Sequence, residues 1–212
     1  MLTFLFWNTN GKPLVEAIVE LVEEQSIDVL MLAECDVAPA RLLMALNRNE
    51  SLFYFAPGQS PRLVMFTRFP DRYVAPAFDS DRISIRRLAL PAREEILLAL
   101  VHLPSKLYWS DDSQMLECTE LARTIGDEER HAGHSRTIVV GDRNMNPFEK
   151  GLVGASGLPA TMARTVAERA SRVIQGKPYS FFYNPMWGHL GDWLERPPGS
   201  FYYERAEQVT YF

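Results

Sequence analysis

The apolar and polar positions of this chain fall into blocks whose period changes along its length. Leu2 to Trp7 is apolar and aromatic apart from Thr3 and stops at Asn8-Thr9-Asn10-Gly11, which predicts a strand followed by a polar turn. From Pro13 the period lengthens. Leu14, Val15, Ile18, Val19, Leu21 and Val22 share one side, and Glu16, Glu20, Glu23 and Glu24 share the other, which predicts an amphipathic helix. Asp28 to Ala33 is a second apolar strand, ending on Glu34. Strand, helix, strand predicts a crossover with parallel neighbours, so that Asn8–Asn10 and Glu34 emerge at the same sheet edge. A second helix is expected over Pro39 to Asn47, with Leu42, Leu43 and Leu46 inward.

The chain then changes character. Leu52 to Ala56, Arg62 to Thr67, Arg72 to Pro76, Arg82 to Leu88 and Glu95 to Val101 are short strands with turn residues between them, a meander that predicts antiparallel pairing. The last of these delivers His102. A loop over Leu103 to Ser110 leads to a helix from Asp112 to Arg130 with Met115, Leu116, Leu121 and Ile125 as its apolar stripe. Thr137 to Val140 follows as a β-branched strand expected to be covered on both faces. Gly141 permits close backbone approach, Asp142 and Asn144 fall on one side of the extended chain, and Pro147 stops the pairing. Beyond it a short helix is expected over Pro159 to Ala170. An aromatic-rich segment runs from Tyr179 to Gly188, and a final hairpin is expected from Tyr202-Tyr203 and Gln208 to Phe212. No repeat or linker divides the sequence, so residues 1–212 are expected to form one domain.

Composition narrows the class without choosing the chemistry. With 212 residues, 47% hydrophobic and 23% charged, the chain is of soluble globular type and long enough for a substantial core. No apolar run approaches the roughly 20 residues that span a bilayer, so no membrane partner is expected. The N-terminal segment lacks the basic flank and small-residue cleavage site of a signal peptide. Cys35 and Cys118, the only cysteines, make neither a metal pattern nor a disulfide framework, which points to the cytoplasm. Cys35 reads as a small buried filler beside Glu34, and His131 and His134 read as structural groups at a helix end. The net charge of -5 does not advertise nucleic-acid binding, although Arg62, Arg68, Arg72, Arg82, Arg86 and Arg87 crowd the meander and Arg164, Arg169, Arg172 and Lys177 form a second basic group.

Four apolar strands each end in a polar group: Asn8 and Asn10, Glu34, His102, and Asp142 with Asn144. Any one of them is an ordinary loop start. Together they mark a site, because ligand sites of layered α/β proteins gather at strand ends. Carboxylate and carboxamide oxygens suit a hard cation, or a phosphate bound through one.

On Phe6-Trp7-Asn8-Thr9-Asn10-Gly11, Leu32-Ala33-Glu34, Val101-His102-Leu103 and Gly141-Asp142-Arg143-Asn144-Met145-Asn146-Pro147, the sequence resembles the endonuclease/exonuclease/phosphatase superfamily. The order and rough spacing match across nearly the whole chain. The resemblance implies a DNase I-like four-layered α/β sandwich, with two mixed or antiparallel sheets packed face to face and flanked by helices. It also implies Mg²⁺- or Mn²⁺-dependent cleavage of a phosphoester by water. Carried over by position, Glu34 is the principal metal ligand and Asn10 a further contact. Asn8 supports metal and phosphate, His102 orients or protonates near the phosphate, Asp142 activates the water, and Asn144 helps hold the phosphate. Arg62, Arg86 and Arg143 are candidate substrate contacts. A nuclease acting on DNA or RNA is the first expectation. A phosphatase or lipid phosphodiesterase of the same superfamily, or a non-catalytic binding module, is the alternative.

Two positions and the closing element depart from the family pattern. Asn10 stands where several nuclease members carry an acid, and Arg143 replaces a common aromatic. Nothing after Asp142 fits the closing serine-aspartate-histidine element, since His189-Leu190-Gly191-Asp192 has the wrong order. The expectation is a chain lacking its last strand or strands, weakly active or inactive in this form, and able to dimerise through exposed edge strands.

Overall fold

A computed structural model describes residues 1–49, 52–106 and 109–191, with the strand segments 202–203 and 210–211. The chain divides into two compact units, Met1–His102 with Ile125–Arg143, and Leu103–Thr124 with Asn144–Phe212.

The first unit holds both large sheets. Strand β1 (Phe4–Asn8), helix α1 (Val15–Glu24) and strand β2 (Val29–Ala33) form the expected crossover, with β1 and β2 parallel. Helix α2 (Pro39–Leu46) leads to β3 (Tyr54–Ala56) and β4 (Leu63–Thr67), which complete a four-stranded sheet in the order β1-β2-β4-β3. A 3-10 turn at Asp71–Tyr73 carries the chain to β5 (Val74–Asp79), β6 (Ile83–Leu88) and β7 (Ile96–His102). Helix α3 (Asp111–Ala132) is the crossover from β7 to the parallel strand β8 (Thr137–Asp142), giving a second sheet in the order β5-β6-β7-β8. The meander is antiparallel as expected, yet it is shared between two sheets: β3 and β4 belong to the first, β5 to β7 to the second.

Alternation along the strands builds two cores. Leu30 and Leu32 of β2 and Val64 and Phe66 of β4 pack against Ile18 and Val22 of α1 and Leu42 and Leu46 of α2. The alternate residues Val29, Met31 and Ala33 of β2, with Leu63 and Met65 of β4, pack against Leu98 and Leu100 of β7 and Leu88 of β6, so the sheets meet face to face. Burying each of the Val, Leu, Ile, Met and Phe side chains contributes about 1.5–3 kcal/mol. Two expectations are corrected. Strand β8 lies at the edge of its sheet among the described residues, with Ile138 37% exposed, rather than covered on both faces. Its β-branched run reports a fit to a pleated surface, which an edge strand satisfies as well as a central one. On α3, Cys118, Leu121 and Ile125 are buried while Leu116 is 62% exposed, so the stripe turns away from Leu116.

The second unit is built of shorter pieces. The helix expected over Pro159 to Ala170 is corrected to a single turn, α5 (Arg164–Ala167), preceded by α4 (Lys150–Val153) and by β9 (Ala160–Thr161). Ala160 and Thr161 extend to pair in parallel with β12 (Phe182–Tyr183), and that pairing takes the place of a helix start. Between them β10 (Ser171–Ile174) and β11 (Lys177–Ser180) form a hairpin turned by Gln175 and Gly176, both at positive φ. The aromatic-rich segment thus lies in β11, β12 and a 3-10 turn, Pro185–His189. The expected final hairpin is present as β13 (Tyr202–Tyr203) antiparallel to β14 (Thr210–Tyr211). Gln208, Phe212, Asp192 and residues 107–108 of the expected loop lie outside the described residues. Among the described residues no helix is long and apolar enough to cross a membrane.

Candidate active site

Within the first unit, strand register brings the four predicted strand ends together in pairs. In the first sheet Asn8 sits opposite Ala33, next to Glu34. In the second sheet His102 sits opposite Asp142. The β7–β8 pairing depends on Gly141, whose φ is +145° and where a Cβ would fall 1.9 Å from the Val101 carbonyl oxygen. Close approach of the two strands therefore requires glycine one residue before Asp142.

Glu34 occupies the left-handed region, φ +49°, which is uncommon for a residue with a Cβ. Its surroundings fix that geometry. The Glu34 N–H donates to the Arg62 carbonyl at 3.1 Å, and its own carbonyl accepts from the Gly11 N–H at 2.9 Å and the Thr9 hydroxyl at 2.8 Å. Thr9 is 1% exposed, so its hydroxyl is dedicated to this turn. Several independent bonds thus hold this uncommon backbone conformation at the end of a core strand.

The side chains then close into one cluster. The Asn8 amide Nδ2 donates to Asp142 Oδ2 at 2.9 Å and reaches Glu34 Oε1 at 3.3 Å, while Asn8 Oδ1 accepts the Asn10 N–H at 2.9 Å. His102 Nε2 lies 3.0 Å from the same Glu34 Oε1. The ring is buried, and its Nδ1 has no hydrogen-bond partner among the described residues. His102 thus meets the cluster through Nε2.

Glu34 also lines an open cleft of about 390 Å³ with Asn10, Gly11, Cys35, Asp36, Pro61 and Arg62. Asn10 is exposed there, at φ +49°. Arg62, also exposed, is the candidate substrate contact that the cleft retains. Arg86 is not one. It is 2% exposed and forms a two-pronged pair with Asp79 at 3.0 and 3.1 Å, with a further bond to the Pro57 carbonyl at 2.8 Å. A strand arginine in a basic meander looks like a surface charge, but its inward register on β6 makes it a buried structural group. Arg143 follows Asp142 and is half-buried. Asn144 belongs to the second unit, at φ +51°, where its amide donates to the Leu103 carbonyl at 2.9 Å. A separate cavity of about 230 Å³ in that unit is lined by Asp111, Asp112, Gln114 and Glu149, and Lys106 lies 2.6 Å from Glu149.

Sequence reasoning missed Thr9 and Ser60. Both are buried hydroxyls beside the motif residues, and small polar residues at strand ends carry no signal of their own.

No protein-family profile matches the sequence, and no curated protein matches it. Solved structures do share its fold. One is an endonuclease/exonuclease/phosphatase family protein from Bacteroides thetaiotaomicron, with a TM-score of 0.53 and 13% identity over 70% of this chain and 64% of that one. Another is the human Nocturnin catalytic domain with bound sulfate anion, with a TM-score of 0.50 and 18% identity over 66% and 60%. TDP2 from C. elegans aligns with a TM-score of 0.50 and 15% identity over 70% and 49%. The chain spans less than two thirds of each of these proteins.

Proposed function

We propose that this chain, which has the DNase I-like fold of the endonuclease/exonuclease/phosphatase superfamily, is a divalent-metal-dependent phosphodiesterase that acts on nucleic acid. The observation that carries the reading is the bonded cluster itself. Asn8, Glu34, His102 and Asp142 come from the ends of four strands in two sheets, and Asn8 links both carboxylates.

Among the described residues no three His, Cys, Asp or Glu side chains converge as a metal cage. The donor set nonetheless fits a hard cation that keeps most of its water. Mg²⁺ takes one or two carboxylates with waters and substrate oxygens. Among the described residues, the Asn8 and His102 contacts to the Glu34 carboxylate both fall on Oε1, and Oε2 would serve a ligand at the cleft. Glu34 would hold the ion, with the Asn10 carboxamide beside it. When bound, such an ion polarises the phosphoryl oxygens and offsets the charge that builds there.

The chain's own residues do the rest. Asp142 accepts a proton from the attacking water as general base. The Asn8 amide holds the Asp142 carboxylate in place and keeps it apart from Glu34. His102 Nε2 donates to Glu34 and fixes its rotamer. Arg62 at the cleft, with Arg143 after Asp142, meets the phosphate backbone. The rival reading, a phosphatase or lipid phosphodiesterase on a small head group, draws on the net charge of -5.

The test is hydrolysis of plasmid DNA, RNA, a phosphomonoester and a generic phosphodiester by this chain with Mg²⁺ or Mn²⁺, against chelator. Glu34→Gln and Asp142→Asn should each lower the rate by about 10²–10³-fold. A rate indifferent to chelator and to both substitutions would refute the reading. Preference for the monoester would favour the rival.

A further inference from the structure

The reactive cluster is split between two sheets, and side-chain bonds alone do not set the distance between its halves. Asn8 and Glu34 ride on the first sheet, His102 and Asp142 on the second. Hydrogen bonds, linked through the backbone of Arg82 and of Arg62, join Glu34 to His102. The His102 N–H donates to the Arg82 carbonyl at 2.9 Å. The preceding carbonyl, of Asp81, accepts the Ser60 hydroxyl at 2.7 Å. Ser60 Oγ in turn accepts the Arg62 N–H at 3.2 Å, and the Arg62 carbonyl accepts the Glu34 N–H at 3.1 Å. Ser60 is the one side chain in this relay. It lies in the β3–β4 connection, is 7% exposed, and uses its hydroxyl as donor to the β5–β6 turn of the other sheet and as acceptor from the Arg62 N–H within its own connection, just before β4.

Both ends of the relay are independently braced. The turn between β5 and β6 is closed by the Ser80 N–H to Ile83 carbonyl bond at 2.8 Å and by Ser80 Oγ accepting the Ile83 N–H at 3.2 Å. The β3–β4 connection is held at its start by Arg86 on the Pro57 carbonyl at 2.8 Å. Between two braced turns, the Ser60 hydroxyl is the adjustable joint. Its removal frees the Arg62 peptide, which carries the acceptor that keeps Glu34 in its left-handed conformation.

We propose that Ser60 is a positioning residue for the reactive cluster: its hydroxyl bridges the β3–β4 connection to the β5–β6 turn and so sets Glu34 against His102. This rests on the reading of Asn8, Glu34, His102 and Asp142 as the reactive cluster. It places a specific requirement, one group that both donates and accepts, at a position that never touches substrate. Alanine supplies neither function. Cysteine keeps the volume but bonds weakly, and threonine keeps the hydroxyl.

The experiment compares wild type, Ser60→Ala, Ser60→Cys and Ser60→Thr in the full chain by amide hydrogen exchange and by the imidazole nitrogen resonances of His102, with thermal unfolding alongside. The expected result for Ser60→Ala and Ser60→Cys is a rise of about tenfold or more in exchange at the Glu34 and Arg62 amides, with Met31 and Leu98 in the strand centres unchanged. The His102 Nε2 resonance shifts as its Glu34 partner moves, and Ser60→Thr restores both signals. In the metal-dependent assay the same two variants lower kcat more than they raise KM. Unchanged Glu34 exchange and His102 resonances in Ser60→Cys would overturn the proposal. So would a uniform rise in exchange across both sheets, or failure of both Ser60→Ala and Ser60→Cys to fold, either of which makes Ser60 a general stability group. If wild type hydrolyses no phosphoester while the resonances respond as expected, the phosphodiesterase reading fails and the positioning relay stands.

Discussion

The Asn8 amide donates to Asp142 Oδ2 at 2.9 Å across 134 residues of sequence and also reaches Glu34 Oε1 at 3.3 Å. One carboxamide therefore holds two carboxylates in fixed relation. Asn8→Ala removes both bonds from a half-buried position, and the expected result is a fall of about 10²-fold in metal-dependent cleavage with a thermal midpoint within a few degrees of wild type. Asn8→Asp puts a third carboxylate where a donor is needed and should destabilise by about 1–3 kcal/mol, read by urea unfolding at neutral pH. Full activity in Asn8→Ala would detach Asn8 from the chemistry.

Gly141→Ala tests the strand register that brings His102 beside Asp142. The added methyl would sit 1.9 Å from the Val101 carbonyl oxygen at a φ of +145°, so backbone rather than a side chain must move. Destabilisation of roughly 3 kcal/mol or more is expected from denaturant unfolding, together with loss of cleavage. A stable and active Gly141→Ala variant would show that the β7–β8 pairing is looser than described.

Much of this was legible in the sequence, because strand-end chemistry and hydrophobic period are local signals. The runs ending at Asn8, Glu34, His102 and Asp142 became β1, β2, β7 and β8, and the meander became antiparallel strands. What was not legible is set by partners distant in sequence. The division of the meander between two sheets depends on which face of β2 meets β7. The exposure of Ile138 depends on what lies beside β8. Ala160-Thr161 lost its helix to a strand partner more than 20 residues later. Arg86 and Ser60 owe their roles to the packing of the two sheets, which leaves no trace in residue type.

Arg86 and Arg62 should separate cleanly. Asp79→Asn leaves the buried Arg86 guanidinium without its counter-charge and should cost about 3–5 kcal/mol in unfolding free energy, whereas the double change Arg86→Met, Asp79→Leu should recover most of that. In nucleic-acid binding, measured as affinity against salt, Arg62→Ala should lower the slope by about one while Arg86→Met leaves it unchanged. Equal slopes for wild type and Arg62→Ala would remove Arg62 from the substrate contacts.

The last expectation concerns acid stability, and it lies away from the reactive cluster. Glu95 Oε1 accepts Arg87 Nη2 at 2.8 Å and Nε at 3.0 Å, and His134 Nε2 lies 3.2 Å away. Partial burial raises the carboxyl's proton affinity, but the Arg87 and His134 hydrogen bonds outweigh it, and the pKa falls below its ordinary value of 4.5. A carboxyl with a depressed folded-state pKa stabilises the fold above its unfolded pKa, and that stability is lost as pH falls through the folded value. His134 Nδ1 accepts the Arg136 N–H at 3.2 Å, which leaves Nε2 as the ring's donor to Glu95, so the triad ties the start of β7 to the turn before β8. Glu95→Gln keeps the shape and removes the charge. Wild type should therefore exceed Glu95→Gln by about 1 kcal/mol at pH 7, with the gap closing below the ordinary carboxylate range. Urea unfolding of both proteins from pH 7 to pH 3 measures it. A gap that stays constant over that range would show that the pair contributes packing rather than charge.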